Sequence, residues 1–231
     1  MIGFDPVYLL FALPGLLLAL FASWRTRSVF AEYSQVAPAS GLTGAQAAQR
    51  MLAARGLRNV HIEPTHGFLS DHYDPTERAL RLSEDVYHGR SLAAVGVACH
   101  EAGHAIQHAE GYRPLMWRSA LVPVTQIGSS LSWIVLTAGF LMHWTGLVYL
   151  GIALFASAVL FALVTLPVEW DASARARTAM VRAGIVSPHE QPHARAVLDA
   201  AFLTYLAAAV SSILTLAYYL LRAGFFNRDE R

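Results

Sequence analysis

Residues 119–168 read SALVPVTQIGSSLSWIVLTAGFLMHWTGLVYLGIALFASAVLFALVTLPV, and none of these 50 residues is Asp, Glu, Lys or Arg. A helix crosses the hydrocarbon core of a bilayer with about 20 apolar residues, so the run is long enough for two spans and a short turn. Buried helices of a soluble core are the competing interpretation, but the length of the run argues against them. We predict the turn at His143–Gly146, where polar and aromatic residues typical of a membrane interface cluster.

Two further uncharged runs raise the predicted number of spans to four. Residues 6–24 form a run of 19 and residues 200–221 form a run of 22. A cleaved signal peptide is the alternative for the first run, and it would carry basic residues before its apolar core. Here Arg25 and Arg27 come after the core, and this order favours a retained anchor.

The overall composition agrees with a membrane protein. Apolar residues make up 55% of the 231 residues and charged residues 14%, with a mean hydropathy of +0.40. Ordinary soluble domains average about 45–50% apolar and about 25% charged residues. The net charge of +1 is too small to indicate a nucleic-acid partner. Cys99 is the only cysteine, which excludes an intrachain disulfide and a four-cysteine zinc site.

The arginines predict how the four spans are oriented. Those that flank the spans all lie on one face of the membrane if the chain crosses it four times, and clustered basic residues mark the cytoplasmic face. Both chain ends would then lie outside. The arginines concerned are Arg25, Arg27, Arg113, Arg118, Arg175, Arg177 and Arg182.

The polar region between the first two spans predicts a small sheet flanked by helices. Alternating apolar residues indicate strands at residues 59–64 and 79–83, and the composition of Asp71–Pro75 indicates a turn between them. The predicted helices are residues 45–55, with Ser40 or Thr43 as N-cap, and a helix capped by Ser91 that runs to about Glu110.

The second of these helices carries the sequence Cys99-His-Glu-Ala-Gly-His-Ala-Ile-Gln-His108. His100 and His104 are four residues apart, so both imidazoles project from one helix face, where a single zinc ion can accept both. Glu101 lies beside the first ligand and can take a proton from a water on the metal. Gly103 lets another backbone approach the helix closely. The pattern predicts a zinc peptidase, with two ordinary helical histidines as the alternative.

A catalytic zinc site needs a third protein ligand. The metzincin pattern would place a histidine at position 110 and a glycine at 107, but the chain has Glu110 and Gln107, so this pattern is excluded. His108 lies one turn beyond His104, and three ligands from consecutive turns of one straight helix converge poorly. A structural role, or a role toward metal ligands or substrate, is therefore the better expectation for His108.

Glu169 is the better candidate for the third ligand. It is the first carboxylate after the 50 uncharged residues, and two predicted spans separate it from His104. Because two is an even number, both residues meet on the same membrane face. Asp171 is the rival ligand, and an interfacial carboxylate without a metal is the remaining alternative.

Four motifs occur in order along the chain: Ser70-Asp-His-Tyr-Asp-Pro75, Leu82-Ser83, His100-Glu-Ala-Gly-His-Ala-Ile-Gln-His108 and Glu169-Trp-Asp-Ala-Ser-Ala-Arg-Ala176. With them the chain resembles the bacterial neutral zinc metallopeptidases of the YugP type, a membrane family with a gluzincin-like site. The resemblance extends from about Gly41 to the fourth span. It implies a zinc peptidase without naming a substrate.

A more distant resemblance is to the HtpX and CAAX prenyl endoprotease group. There, a glutamate shortly after the spans is the third ligand, which matches Glu169, and an aspartate four residues later orients a ligand histidine. Ser173 stands at that position here, so Asp171 or another group would have to orient the histidine. By the same analogy a strand near residues 71–74 would pair with an extended peptide, and His72 or Tyr73 would donate to the oxyanion. The alternative is that the polar residues of this segment only form a turn.

These features predict a mainly α, integral membrane helical protein of about four transmembrane helices, with a small α+β zincin-like catalytic region at the membrane surface. We expect a zinc-dependent endopeptidase with one zinc ion per chain, acting on a peptide or protein substrate at the cytoplasmic face of a bacterial inner membrane. The predicted segments are an anchor (1–27), a catalytic region (28–118), two spans (119–168), a third-ligand helix region (169–199) and a fourth span with the tail (200–231).

Two other functions remain open. A site-2-type intramembrane protease would hold its zinc helix inside the bilayer, but Arg90 and Glu110 flank that helix closely and no later span carries an aspartate. A non-catalytic zinc-dependent scaffold or chaperone would have no need of Glu101 beside the metal.

Overall fold

The computed structural model describes residues 6–67 and 70–224; the outer ends of the predicted anchor and tail, residues 1–5 and 225–231, lie outside the described residues. In the described residues, strands occur only in the region that follows the first long helix. In chain order the elements are α1 (Pro6–Tyr33), α2 (Gly44–Ala54), β1 (His61–Thr65), β2 (His72–Asp74), β3 (Ala79–Ser83), α3 (Glu84–Tyr87), α4 (Leu92–Ala109), α5 (Arg113–Leu141), α6 (Thr145–Arg182) and α7 (Gln191–Arg222).

Helices α1, α5, α6 and α7 are long and apolar enough to cross a membrane, which confirms the predicted fold class. The predicted turn also lies in the expected place, because α5 ends at Leu141 and α6 begins at Thr145. His143 adopts a positive φ of 52° in this turn. Helix α6 continues past the uncharged run to Arg182, so Glu169 belongs to the same continuous helix as the third span.

The chain divides into two compact units, and the first contains the apolar parts of the long helices. It comprises the chain up to Ala22, Trp117–Leu166 and the chain from Thr204. Many of its large apolar side chains are exposed: Leu10 by 73%, and Ile127 and Trp133 by 68% each. Such exposure is expected where lipid rather than water surrounds the helices.

The second unit comprises Ser23–Met116 and Pro167–Leu203 and contains the sheet. The strand order is β1-β3-β2, with β1 parallel and β2 antiparallel to the central strand β3. Strand β3 is buried, and it packs with α2, α4 and the last part of α6 around one apolar core. The largest fully buried apolar side chains of this core are Met51, Leu52, Leu80, Leu82, Leu92, Ile106, Met180 and Ile185.

The predicted turn at Asp71–Pro75 is wrong in part, because His72–Asp74 form the edge strand β2. The turn comes later, where Oδ1 of Asp74 accepts hydrogen bonds from the backbone N–H groups of Thr76 and Glu77. Arg78 closes this turn with a φ of 53°. Asp and Pro favour turns, and a three-residue edge strand shows too little alternation to be recognised.

The predicted helix caps are confirmed. Thr43, and not Ser40, caps α2, and it exchanges hydrogen bonds with Gln46 in a capping box. Ser91 caps α4 and accepts a hydrogen bond from the backbone N–H of Ala94 at 3.1 Å. Both caps fix the start of helices whose inner faces line the core.

Helices α4 and α6 approach each other most closely at Gly103. A Cβ atom on this residue would lie 2.6 Å from the carbonyl oxygen of Ala172 and 3.3 Å from its Cα atom. The backbone of α6 therefore occupies the space that a side chain would need. The sequence predicted that another backbone would approach α4 closely at Gly103, and this backbone is that of α6.

We expect Gly103→Ala to destabilise the protein by about 1–3 kcal/mol, because backbone atoms cannot yield as a flexible side chain does. Gly96→Ala on the same helix is the matched control, since its Cβ would meet its nearest atom at 3.6 Å. The control should be neutral or slightly stabilising, because alanine favours helices by about 1 kcal/mol over glycine. Thermal unfolding of both variants in detergent measures the difference, and equal melting temperatures would contradict this account of the contact.

Candidate metal centre

Helices α4 and α6 bring His100, His104 and Glu169 together. One potential ligand atom of each residue lies within 4.8 Å of the others. Oε2 of Glu169 lies 3.0 Å from Nε2 of His100 and 3.6 Å from Nε2 of His104. Two ligand atoms that each lie about 2.0–2.1 Å from a tetrahedral zinc ion are about 3.3 Å apart. The observed spacings bracket this value, so the donor set fits zinc.

The cluster lies at the edge of the core. Glu169 is 1% exposed and His104 5% exposed, whereas His100 retains more exposure. Burying a carboxylate is unfavourable unless it is paired or coordinates a metal. The two imidazoles beside Glu169 meet this requirement, and the exposed edge of His100 leaves an approach from solvent.

The outer nitrogen of each imidazole has its own hydrogen-bond partner. Nδ1 of His100 lies 3.1 Å from Oγ of Ser173, and Nδ1 of His104 lies 3.0 Å from Oε1 of Gln107. When Nδ1 donates its proton to these oxygens, Nε2 keeps a lone pair that points into the cluster. Ser173 thus contacts His100 from the position where the HtpX group has an aspartate.

Gln107 contacts the candidate ligand His104, a role that the sequence did not predict. Its side-chain amide donates to the carbonyl oxygen of Val168 and to Oδ2 of Asp171, both at 2.8 Å. Asp171 therefore contacts the amide of Gln107 rather than an imidazole. The spacing could have indicated this contact, because Gln107 lies three residues after His104 and therefore on the same face of the helix.

The predicted base, Glu101, is almost completely buried, with 9% exposure. It follows His100 directly on α4, and the helix fixes its direction about 100° from that of the ligand. Its burial places it in the protein interior rather than on the solvated surface.

The other predicted site residues lie around β2. The hydroxyl group of Tyr73 lies 2.8 Å from Nδ1 of His108, and this contact connects β2 to the end of α4. Burial raises the pKa of the Tyr73 phenol above its usual value. His72 is exposed and its Nδ1 lies 2.8 Å from the carbonyl oxygen of Ser70. The ligand cluster contains Glu169 and neither His108 nor Asp171.

Two of the motifs from the sequence analysis meet in the sheet. Oδ1 of Asp71 accepts hydrogen bonds from the backbone N–H of Ser83 at 2.8 Å and from its hydroxyl group at 3.1 Å. Burial raises the pKa of the Asp71 carboxyl, and the hydrogen bonds from Ser83 act in the opposite direction. The pair fixes the start of β2 against the end of β3.

Comparison with known proteins supports the resemblance predicted from these motifs. The profile of the family described as "putative neutral zinc metallopeptidase" matches residues 8–224. A curated relative, the "Putative membrane protease YugP" of Bacillus subtilis (strain 168), is 43% identical over 225 residues, which cover 97% of this chain and 99% of the relative. No solved structure matches the chain significantly.

Proposed function

This chain belongs to the neutral zinc metallopeptidase family, and we propose on that basis that it is a membrane-bound, zinc-dependent endopeptidase. The observation that carries the proposal is the convergence of His100, His104 and Glu169 from two helices, with Glu101 buried beside the first ligand. We propose that these three ligands hold one zinc ion per chain in a gluzincin-type site. Glu101 is the proposed general base.

The proposed reaction is hydrolysis of a peptide bond by water. The chemistry that zinc supplies when bound is a lowered pKa of water and a polarised scissile carbonyl. The carboxylate of Glu101 accepts the proton of the attacking water and passes it to the leaving amine.

We propose that β2 receives the substrate as an extended peptide. In the described part of the chain, β2 pairs with β3 on one side only, so its outer edge presents backbone donors and acceptors. Tyr73 and His72 alternate along this strand, and Tyr73 points toward α4 through its contact with His108. This orientation makes Tyr73 the better candidate than His72 for a contact with the reacting carbonyl.

A surface site is favoured over a site-2-type site inside the bilayer. Helix α4 has 18 residues and is not among the four helices that could span a membrane in the described chain. Its partners α2 and the sheet lie with it in the second unit, around one shared core. We therefore propose that hydrolysis occurs at the cytoplasmic surface of the bacterial inner membrane.

A zinc-dependent scaffold is the alternative function from another class, and substitutions at the site distinguish it from an enzyme. We expect Glu101→Gln to retain zinc and to lose cleavage of a reporter peptide by about 10²–10⁴-fold, because a neutral amide cannot accept the proton. Glu169→Ala should lose zinc as well as cleavage. Glu84→Gln, at an exposed glutamate paired with His88, is the control and should retain both.

Metal analysis and peptide cleavage of the three variants and the wild type measure these outcomes. Unchanged cleavage in Glu101→Gln would reject Glu101 as the general base, whereas zinc binding without cleavage in the wild type would favour the scaffold. A full complement of zinc in Glu169→Ala would instead reject Glu169 as the third ligand.

The proposed membrane face is tested with single cysteines. Cys99 is fully buried and should give little background. Thr76→Cys lies in the exposed turn after β2, and Met142→Cys lies between α5 and α6, one span further along the chain. A membrane-impermeant maleimide should label only Met142→Cys in intact spheroplasts and both variants after lysis. Labelling of Thr76→Cys before lysis would place the site on the outer face.

A further inference from the structure

We propose that Gln107 is the positioning residue of His104, and that Asp171 influences the metal site only through the side-chain amide of Gln107. The inference rests on the proposed zinc site and deepens it. It assigns a function to the one fully buried polar side chain on α4 that contacts a ligand without being one.

The hydrogen bonds of Gln107 determine which way its amide faces. Its nitrogen lies 2.8 Å from two oxygen atoms, the carbonyl of Val168 and Oδ2 of Asp171. A flipped amide would place its oxygen against both of these acceptors and would be strongly disfavoured. Oε1 must therefore face His104.

This orientation fixes the tautomer of His104. An amide oxygen only accepts hydrogen bonds, so Nδ1 of His104, at 3.0 Å, must carry the proton. In the neutral imidazole, Nε2 then carries the lone pair, and this atom lies 3.6 Å from Oε2 of Glu169. Without Gln107 the ring could rotate or adopt the other tautomer, and either change would remove a ligand nitrogen from the cluster.

Asp171 is itself held in place from the far side. Arg175, one turn later on α6, donates from Nε to the same Oδ2 atom of Asp171 and from its terminal nitrogen to Glu110. The guanidinium group also lies over the ring of Tyr112, 5.7 Å from its centroid. A fixed carboxylate thus holds the amide of Gln107, while a neutral group remains in contact with the imidazole.

Ser173 gives His100 the corresponding neutral partner. Each candidate ligand histidine therefore has a neutral oxygen beside its outer nitrogen. A merely structural Gln107 would connect α4 to α6 through Val168 and would affect the stability of the metal-free protein. A positioning Gln107 also affects metal affinity and the ligand field of the metal.

The experiment is a double-mutant cycle on zinc affinity, measured on the full chain in detergent by competition with a chromophoric chelator. Gln107→Met should weaken zinc binding by about 10–100-fold, as loss of a partner to a ligand histidine typically does. Asp171→Ala alone should weaken it less, and should have no further effect when combined with Gln107→Met. Asp199→Ala, at a carboxylate paired with Arg177 and Arg195, is the matched control and should leave zinc affinity unchanged.

A second pair of variants covers the case in which Gln107→Met fails to fold. Gln107→Glu alone should weaken zinc binding, because its carboxylate faces the oxygens of Asp171 and Val168. Combining it with Asp171→Ala should restore part of the affinity, because the opposing carboxylate is removed and Arg175 is left to pair with the new one. The visible spectrum of the cobalt-substituted protein should shift in Gln107→Glu and return toward that of wild type in the combined variant.

Wild-type zinc affinity in Gln107→Met, or a full effect of Asp171→Ala in the Gln107→Met background, would overturn the inference. Absence of any recovery in the combined Gln107→Glu and Asp171→Ala variant would overturn it as well. If the wild type itself bound no zinc, the proposed function would fail instead, so the two failures are distinguishable.

Discussion

Helix α4 meets helix α6 where Gly103 leaves room for the backbone of Ala172, and the candidate site is built around this contact. His104 directly follows Gly103, while Glu169 and Ser173 flank Ala172 on α6. Because the backbone of α6 occupies the space that a Cβ on Gly103 would need, the side chains of Ser173 and Glu169 reach the imidazoles. A wider separation would leave the carboxylate buried without the nitrogens beside it, which is unfavourable.

The contact also determines which groups each helix contributes to the candidate site. Helix α4 supplies two imidazoles and the proposed base, and α6 supplies the proposed third ligand and an oxygen that contacts one imidazole. Gln107 completes the arrangement from α4 by reaching back to the backbone of α6. Each helix therefore positions groups of the other. The sheet is attached at the end of α4 through Tyr73 and His108, so the proposed peptide-binding strand is joined to the helix that carries the proposed base.

Much of this could be predicted from the sequence, for physical reasons that particular residues illustrate. The relation of His100 to His104 is local, because a helix fixes the direction of residues four apart. Glu169 could be linked to them because the length of the uncharged run determines how often the chain crosses the membrane. The capping residues Thr43 and Ser91 were likewise readable from short-range chemistry.

What could not be predicted depends on contacts between distant residues. Strand β2 forms because His72–Asp74 pair with β3. Three residues show too little alternation for this strand to be predicted from the sequence. The role of Gln107 depends on the carbonyl of Val168, 61 residues away, which is available only once α4 and α6 have packed. The same holds for Ser173 and His100, 73 residues apart. The family resemblance predicted the candidate metal ligands, but not that Gln107 and Ser173 would contact the two imidazoles.

The central claim is that His100, His104 and Glu169 together bind one zinc ion. A crystal of the zinc-loaded protein, measured on both sides of the zinc absorption edge, tests it most directly. The account predicts a single anomalous difference peak per chain, about 2.0–2.2 Å from Nε2 of His100, from Nε2 of His104 and from a carboxylate oxygen of Glu169. A peak elsewhere, or a peak bound by the two histidines while Glu169 lies out of reach, would contradict the claim.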